Sequence, residues 1–225
     1  MSELKFLVDA AAAGPILEWA RTRMLPDPHG AGPFADQYTT TSVYFDTTRF
    51  DTFNQTGSFA RSKYRVRRYE GKPQVFLERK LSRPGISFKR RTGLPLKDLE
   101  DHARHAQPTA PDFWFWRRVH LRQLHPVCQV SYSRVARVQT TGNGAARLTL
   151  DEGIRARQVE TLEFPAGRGE LVMGLDCILE LKFEGVFPPL FDAFLDAFRL
   201  APQAASKYRQ SVARLGLQPP SAAGR

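Results

Sequence analysis

Basic side chains recur at alternate positions of one short stretch, residues 63–80, which reads KYRVRRYEGKPQVFLERK. Turn-forming residues at 70–73 separate two runs rich in β-branched and aromatic residues, so the stretch predicts a hairpin of two strands. Since alternate residues of a strand share a face, one face of this hairpin carries Lys63, Arg65, Arg67, Phe76, Glu78 and Lys80. Arginine and lysine side chains that share a face in this way could bind an anion together.

The same alternation of basic residues is found in other predicted strands. The basic residues at such positions are Lys5, Arg65, Arg67, Lys80, Lys89, Arg134 and Lys182, and the carboxylates among them are Glu3, Glu78 and Glu180. The opposite faces are apolar, as at Val66, Leu77 and Leu181, which predicts a core on that side. Closing such a sheet into a barrel would put the charges around a polar lumen, whereas an open sheet would show them to water. The pattern alone leaves both arrangements open.

Short strands and a few helices must position these residues. Predicted strands cover 3–8, 40–47, 63–69, 74–80, 85–95, 127–140, 146–151, 177–183 and, as a further short strand, 158–164, with a turn at 141–144. Predicted helices cover 13–25, 96–106, 111–125, 188–200 and 206–216, the last with Gly216 as its C-cap. We therefore predict one α+β domain over residues 1–217, dominated by antiparallel strands, and a frayed tail over 218–225.

The composition is that of a globular protein with an anionic partner. Of the 225 residues, 42% are hydrophobic and 25% charged, and the net charge is +10. Nucleic acid, an acidic membrane surface or a phosphorylated molecule would suit that charge, but glutamates on the same faces argue against nucleic acid. Cys128 and Cys177 are predicted to be buried, reduced thiols. The sequence shows neither a signal peptide nor a membrane-spanning segment, so we expect a cytoplasmic protein.

Other residues that could do chemistry have simpler explanations. His102 and His105 are three positions apart on a polar helix and would need zinc-binding partners that the sequence does not nominate, so we predict them to face water. Asp46 and Asp51 lie where they are expected to cap a turn or a helix. The aromatic residues at 113–116 are predicted to pack in a core rather than to stack on bases.

Nine short motifs occur along nearly the whole chain in the order found in one known family. They are LKF (4–6), TSVYFDT (41–47), YRVRRYEG (64–71), FLERK (76–80), SFKRR (87–91), SYSR (131–134), ARLTLD (146–151), LELKF (179–183) and SKY (206–208). With these motifs the chain resembles the VTC domain, the polyphosphate polymerase module of the vacuolar transporter chaperone complex. That domain is part of the triphosphate tunnel metalloenzyme (CYTH-like) superfamily.

The resemblance implies an α+β fold built on an antiparallel β-barrel, a tunnel with flanking helices, that binds a nucleoside triphosphate and inorganic polyphosphate. The implied activity is transfer of the terminal phosphate of a nucleoside triphosphate, expected to be ATP, onto a polyphosphate chain. Two alternatives stay open at this point. One is hydrolysis of a triphosphate on the same tunnel, and the other is binding of polyphosphate without turnover.

The resemblance also implies which residues form the site. Those expected to act on the reacting phosphates are Arg65, Arg67, Lys80, Arg134 and Lys207. Those expected to bind phosphate or nucleotide beside them are Lys5, Lys89, Tyr132, Arg147, Lys182 and Ser206. Glu180 matches the metal-binding glutamate of the family, and Glu78 is expected to be a second carboxylate for Mg²⁺ or Mn²⁺. For Glu180 the alternative is an ion pair with Lys182 or a neighbouring arginine.

Two departures from the family pattern limit what is implied. The superfamily begins with a Glu-x-Glu-x-Lys motif, of which only Glu3 and Lys5 are present here, with Met1 at the first position. This weakens the hydrolase and cyclase alternatives, which rely on several carboxylates to hold two metal ions. The sequence also lacks the phosphate-sensing SPX domain and the membrane helices of the eukaryotic complex. We therefore expect a free-standing form that does not translocate polymer.

Overall fold

The structure is a computed structural model that describes residues 2–59, 61–83, 86–141, 144–165, 167 and 169–218. Residues 142–143 of the predicted turn and 219–225 of the predicted tail lie outside this range. The strands are β1 (Ser2–Val8), β2 (Leu25–Pro26), β3 (Gln37–Asp46), β4 (Ser62–Tyr69), β5 (Gln74–Arg83), β6 (Ile86–Pro95), β7 (His125–Thr141), β8 (Gly144–Gln158), β9 (Glu170–Leu171) and β10 (Cys177–Phe183). The helices are α1 (Ala10–Arg23), α2 (Asp51–Asn54), α3 (Leu99–His105), α4 (Phe113–Leu121), α5 (Pro189–Phe198) and α6 (Lys207–Arg214).

Each predicted strand and helix is found, some with shifted ends, except the strand at 158–164; the helix predicted at 111–125 ends at Leu121, and His125 already belongs to β7. Strand β8 ends at Gln158, and residues 159–164 belong to no strand. The amide of Val159 donates one hydrogen bond to the carbonyl of Val127, and the chain then bends away. A segment with alternating apolar and polar residues forms a strand only beside another strand, because its backbone N–H and C=O groups need hydrogen-bond partners there. The predicted helix at 96–106 also begins with a 3₁₀ turn at Leu96–Asp98.

The chain groups into two compact units, each assembled from three segments. Unit 1 contains Met1–Thr39, Tyr132–Ile154 and Met173–Ser206, and unit 2 contains Thr40–Ser131, Arg155–Val172 and Lys207–Arg225. Each unit carries its own antiparallel strands and its own buried apolar cluster. That residues 1–217 act as a single domain stays a prediction.

In unit 1, β10 lies between β1 and β8 in an antiparallel arrangement. One face carries Phe6, Leu179 and Leu150, which lie side by side across the three strands and are fully buried. Ile16 of α1 and Phe194 of α5 belong to the same buried cluster, so these helices cover that face. The other face is left for the polar residues that alternate with the apolar ones.

In unit 2, β3, β4, β5 and β6 follow one another as an antiparallel meander. Its apolar face includes Val43, Val66 and Leu77, which are fully buried beside Phe115 and Trp116 of α4. The prediction that the aromatic residues at 113–116 pack in a core is therefore confirmed for these two rings. As in unit 1, burial of one face determines the side on which the charged residues lie.

Several smaller predictions can be compared with the structure. Cys128 and Cys177 are buried free thiols, and burial raises the pKa of Cys177 to about 11. His105 is exposed, as predicted, but His102 is half-buried with its Nδ1 2.9 Å from Asp112. Asp46 caps the turn into α2, since its carboxylate accepts backbone N–H bonds, as expected. No helix among the described residues is long and apolar enough to cross a membrane.

Candidate functional site

The polar face of unit 2 is organised in rows that run across its strands. One row contains Lys63, Lys80 and Lys89, the next contains Tyr44, Arg65, Glu78 and Arg91, and the third contains Ser42, Arg67, Phe76 and Gly93. Residues in register across an antiparallel pair have Cβ atoms roughly 5 Å apart, so each row brings neighbouring side chains within reach of each other. The alternation that the sequence predicted for the hairpin is therefore confirmed, and β3 and β6 extend it on both sides.

Glu78 is surrounded by cations. Its side chain is 1% exposed, and its Oε2 lies 2.7 Å from Nη2 of Arg65 and 2.8 Å from Nε of the same residue. Its Oε1 lies 2.6 Å from Nζ of Lys89 and 3.4 Å from Nε of Arg91. The face thus has at least three cations in contact with one carboxylate, so the local charge is positive.

Two ionisation equilibria follow from this arrangement. Burial alone would raise the pKa of Glu78, but Arg65, Arg67 and Lys89 lower it more, so the group is a carboxylate at neutral pH. Burial lowers the pKa of Lys89 to about 8 against the opposing effect of Glu78, and the two arginines lower it further. A bound phosphate would favour the charged form of Lys89, because an anion nearby stabilises the ammonium group.

The side chains of Arg65, Lys89 and Arg91 around Glu78 form a group that we call the cationic cluster of unit 2. Arg67 and Tyr44 extend this cluster. Arg67 is 4% exposed, and its Nε donates a hydrogen bond of 3.1 Å to Oγ of Ser42. Nη1 of Arg65 donates to Oη of Tyr44 at 3.0 Å. The buried Lys207 is the first residue of α6 and belongs to the same cluster, since its charge acts on Tyr44. Unit 2 thereby brings together the predicted residues Arg65, Arg67, Glu78, Lys80, Lys89 and Lys207.

The polar face of unit 1 alternates lysines and glutamates. Register places Glu3 beside Lys182 and Lys5 beside Glu180. Nζ of Lys5 lies 3.5 Å from Glu3 Oε1 and 3.5 Å from Glu180 Oε1, and Nζ of Lys182 lies 3.6 Å from Glu3 Oε1 and also contacts Glu180. Burial lowers the pKa of Lys182, although both glutamates oppose this effect. The ion pair of Glu180 with Lys182, which was the alternative to a metal role, is therefore present.

Arg134 is held by a carboxylate that the sequence reading did not single out. Its Nε and Nη2 donate to Asp151 at 2.6 and 2.7 Å, and the Asp151 side chain is fully buried. Burial lowers the pKa of Arg134, but Asp151 raises it more, so the guanidinium is firmly charged. Nη2 also lies 4.0 Å from Glu180, which links Arg134 to the cluster of lysines and glutamates described above. The alternation of Arg147, Thr149 and Asp151 along β8 was the signal that could have identified this carboxylate.

The remaining predicted residues of unit 1 lie around this cluster. Nη2 of Arg147 lies 2.9 Å from Asp27 and donates to Oη of Tyr38 at 2.8 Å, neither of which the sequence reading had singled out. Tyr132 is 3% exposed, with the guanidinium carbon of Arg134 5.3 Å from its ring centre. Ser206 is half-buried and follows Ala205, whose carbonyl accepts a hydrogen bond from Lys5.

The donor set of unit 1 fits a divalent cation that arrives with phosphates. Within the described part of the chain no group of three or more metal-ligating side chains is present. Mg²⁺ needs no such group, since one or two carboxylates together with substrate phosphates usually hold it. Glu180 and Glu3 can supply those carboxylates, and a bound ion would neutralise phosphate charge. Both oxygens of Glu180 and both oxygens of Glu78 contact cations, so a metal ion would have to displace an ion pair at either group. The metal roles of the two glutamates stay predictions.

Comparisons with known proteins agree with this fold. The model of the VTC domain family matches residues 1–216. A putative adenylate cyclase from Bacillus halodurans is 17% identical, with a TM-score of 0.53, and the match covers 91% of this chain and 92% of that chain. A putative adenylyl cyclase from Hippeastrum, described as having a dominant triphosphatase activity, is 16% identical, with a TM-score of 0.52, over 96% of this chain and 97% of that chain.

No curated protein sequence matches this chain. The two solved structures show the fold, which is the α+β, CYTH-like fold of the triphosphate tunnel proteins, with antiparallel strands and flanking helices. The fold class predicted from the sequence is thereby confirmed.

Proposed function

Because this chain belongs to the VTC domain family, we propose that it is a metal-dependent phosphotransferase of the polyphosphate polymerase type. It moves the terminal phosphate of a nucleoside triphosphate, with ATP as the expected donor, onto a polyphosphate chain. The observation that carries this proposal is the polar face of unit 2, where Arg65, Lys89 and Arg91 contact the single carboxylate of Glu78. A partly buried excess of positive charge is stabilised when a polyanion binds to it.

The chemistry of phosphoryl transfer suits such a surface. The transferred group needs little covalent help but needs its charge neutralised and its oxygens held in line. In this proposal the residues that contact the reacting phosphates are Arg65, Arg67, Lys80, Arg134 and Lys207. The remaining nucleotide and polyphosphate contacts come from Lys5, Lys89, Tyr132, Arg147, Lys182 and Ser206. Glu180 holds Mg²⁺ or Mn²⁺, and Glu78 orients its arginine and lysine partners.

Cytoplasmic localisation is part of the proposal. ATP, the expected donor, is a cytoplasmic nucleotide, and the two cysteines are free, buried thiols that need no oxidising compartment.

Hydrolysis of triphosphates is the second candidate function. It is favoured by the triphosphatase activity described for the relative from Hippeastrum. The pair Glu3 and Glu180 provides fewer carboxylates than a site for two metal ions usually has, which favours transfer over hydrolysis. The two functions differ only in the acceptor, which is a phosphate end in one case and water in the other.

³¹P NMR of the purified protein incubated with ATP and Mn²⁺ or Mg²⁺, recorded after the metal ion is removed with EDTA, tests the proposal. We expect ADP to accumulate together with a broad signal from interior phosphates of a chain. Free phosphate that grows alone would identify a hydrolase instead. Unchanged ATP would contradict both enzymatic functions and would favour a module that binds polyphosphate without turnover. The variant Arg65→Ala is the matched control and should show neither product.

Binding can be measured separately from turnover. A ligand at a hundredfold excess over its Kd stabilises the folded state by about 2.7 kcal/mol, which is seen as a higher Tm. We expect inorganic tripolyphosphate at low salt to produce such a rise. If the Tm stays the same, the cationic cluster of unit 2 is not a phosphate site.

A further inference from the structure

Tyr44 lies inside the cationic cluster of unit 2. It is part of the TSVYFDT motif (41–47), but the sequence analysis gave it no role. It is 4% exposed and stands opposite Arg65 in the register of β3 and β4. Its hydroxyl faces the same side as the basic residues, because Nη1 of Arg65 donates to it at 3.0 Å. The charges of Arg67 and Lys207 also act on this phenol. A buried phenol therefore lies among three cations.

The hydroxyl of Tyr44 has a proton to donate. A phenol oxygen can accept and donate a hydrogen bond at the same time, and here Arg65 uses the acceptor side. Among the residues that the structure describes, Arg65 is the one hydrogen-bond partner of this hydroxyl, and a guanidinium cannot accept a proton. An oxyanion that binds to these cations would place an acceptor oxygen within hydrogen-bond distance of the Tyr44 hydroxyl.

The ring of Tyr44 is held in place from behind. It stacks on Tyr208 with ring centres 5.3 Å apart and an angle of 27° between the planes. The hydroxyl of Tyr208 donates to Oδ2 of Asp46 at 2.5 Å, and Asp46 in turn accepts the backbone N–H groups of Thr52 and Phe53. Neither ring is free to swing away, so the direction in which the Tyr44 hydroxyl points is set before any ligand arrives.

We propose that Tyr44 is a phosphate-binding residue whose hydroxyl donates a hydrogen bond to a phosphate oxygen held by Arg65, Arg67 and Lys207. This inference rests on the proposed function and adds to it a neutral, directional donor. Burial would raise the pKa of Tyr44, but Arg65 and Arg67 lower it more, so the phenol is a stronger donor than usual. The contact requires an acceptor oxygen, which the oxyanions of a phosphate chain supply.

The variant Tyr44→Phe tests the inference, because it keeps the stacked ring and removes only the hydroxyl. We expect tripolyphosphate to bind about tenfold more weakly by calorimetry, which corresponds to about 1.4 kcal/mol. Tyr64→Phe is the matched control: it makes the same chemical change at a buried tyrosine on the apolar face of the same sheet. That control should bind tripolyphosphate as the wild type does.

The outcomes separate this inference from the proposed function. If the wild-type protein does not bind tripolyphosphate, the proposed function fails and the inference fails with it. If the wild type binds and Tyr44→Phe binds equally tightly, only the inference is overturned. A loss of affinity in Tyr44→Phe with unchanged affinity in Tyr64→Phe supports it.

A second measurement does not depend on how well Tyr44→Phe folds. 3-Fluorotyrosine placed at position 44 alone keeps the hydroxyl and gives one ¹⁹F resonance. We expect tripolyphosphate to shift that resonance along the same saturation curve as calorimetry. A resonance that does not move while calorimetry shows binding would overturn the inference.

Discussion

The two units carry polar faces of different charge balance. In unit 1 the cations Lys5, Lys182 and Arg134 alternate with the carboxylates Glu3, Glu180 and Asp151. In unit 2 the one carboxylate of Glu78 faces Arg65, Lys89 and Arg91, and the row of Lys63, Lys80 and Lys89 adds further positive charge. Both polar faces result from the same alternation of side chains along strands. The difference in charge balance therefore comes from the residues at these positions and not from the fold.

Under the proposed function, this difference in charge balance gives the two polar faces different roles. A face whose cations pair with its own carboxylates needs no ligand to balance its charge, and under the proposed function those carboxylates exchange lysine contacts for a metal ion. A face with excess positive charge gains stability when a polyanion binds, which suits the phosphate-binding role proposed for it. We therefore expect loss of a carboxylate in unit 1 to affect turnover most, and loss of the carboxylate in unit 2 to affect stability most.

The largest expected effect follows from Glu180→Gln in unit 1. Turnover should fall by about a hundredfold or more, because the group proposed to hold the metal ion no longer carries a charge. Binding of tripolyphosphate should persist, since the cations of unit 2 are unchanged. Initial rates of ADP formation and calorimetry measure the two quantities. Glu184→Gln, an exposed glutamate just after β10, is the control and should leave both intact. Full turnover in Glu180→Gln would show that Glu180 has no metal role.

A smaller effect is expected from Glu78→Gln in unit 2. Removing a fully buried counter-ion should lower the free energy of unfolding by about 3 kcal/mol, because Arg65 and Lys89 then repel each other. Tripolyphosphate should raise the Tm of this variant more than that of the wild type, since phosphate replaces the missing charge. Glu3→Gln should be milder, as Glu180 still neutralises both lysines of unit 1. Equal losses in urea unfolding would remove the proposed contrast between the two faces.

The smallest expected effect is the pH dependence of Lys89. Burial lowers its pKa to about 8 in the folded protein, whereas an ordinary lysine titrates near 10.5. Between these values the unfolded chain holds a proton that the folded chain has released, so the stability of the wild type should rise with pH. The gain should be modest, because the side chain is 43% exposed and water screens its charge.

The Tm of the wild type and of Lys89→Met, followed from pH 7 to 11, measures this dependence. The wild type should gain relative to the variant above about pH 8, and protection by tripolyphosphate should weaken over the same range as the ammonium group is lost. A difference that stays flat or falls with pH would contradict the lowered pKa.

Local pattern predicted most of the strands and the face on which each charged residue lies. The alternation in 63–80 placed Arg65, Arg67 and Glu78 on one side, and the register of β4 and β5 confirms it. The strand predicted at 158–164 is wrong, because its alternation finds no partner ladder. A strand depends on a neighbouring strand as well as on its own sequence, and a short stretch of sequence does not show which segment will lie beside it.

The sequence by itself determined the periodicity of two in the strands, and with it the division of each strand into an apolar and a charged face. That division is local, since it follows from the geometry of an extended chain. Only the tertiary structure decided which opposite charges meet. Arg134 binds Asp151 on another strand, 17 positions away, and Tyr208 reaches Asp46 across 162 positions of the chain. Such pairs depend on strand register and on the packing of distant segments, which no short-range pattern specifies.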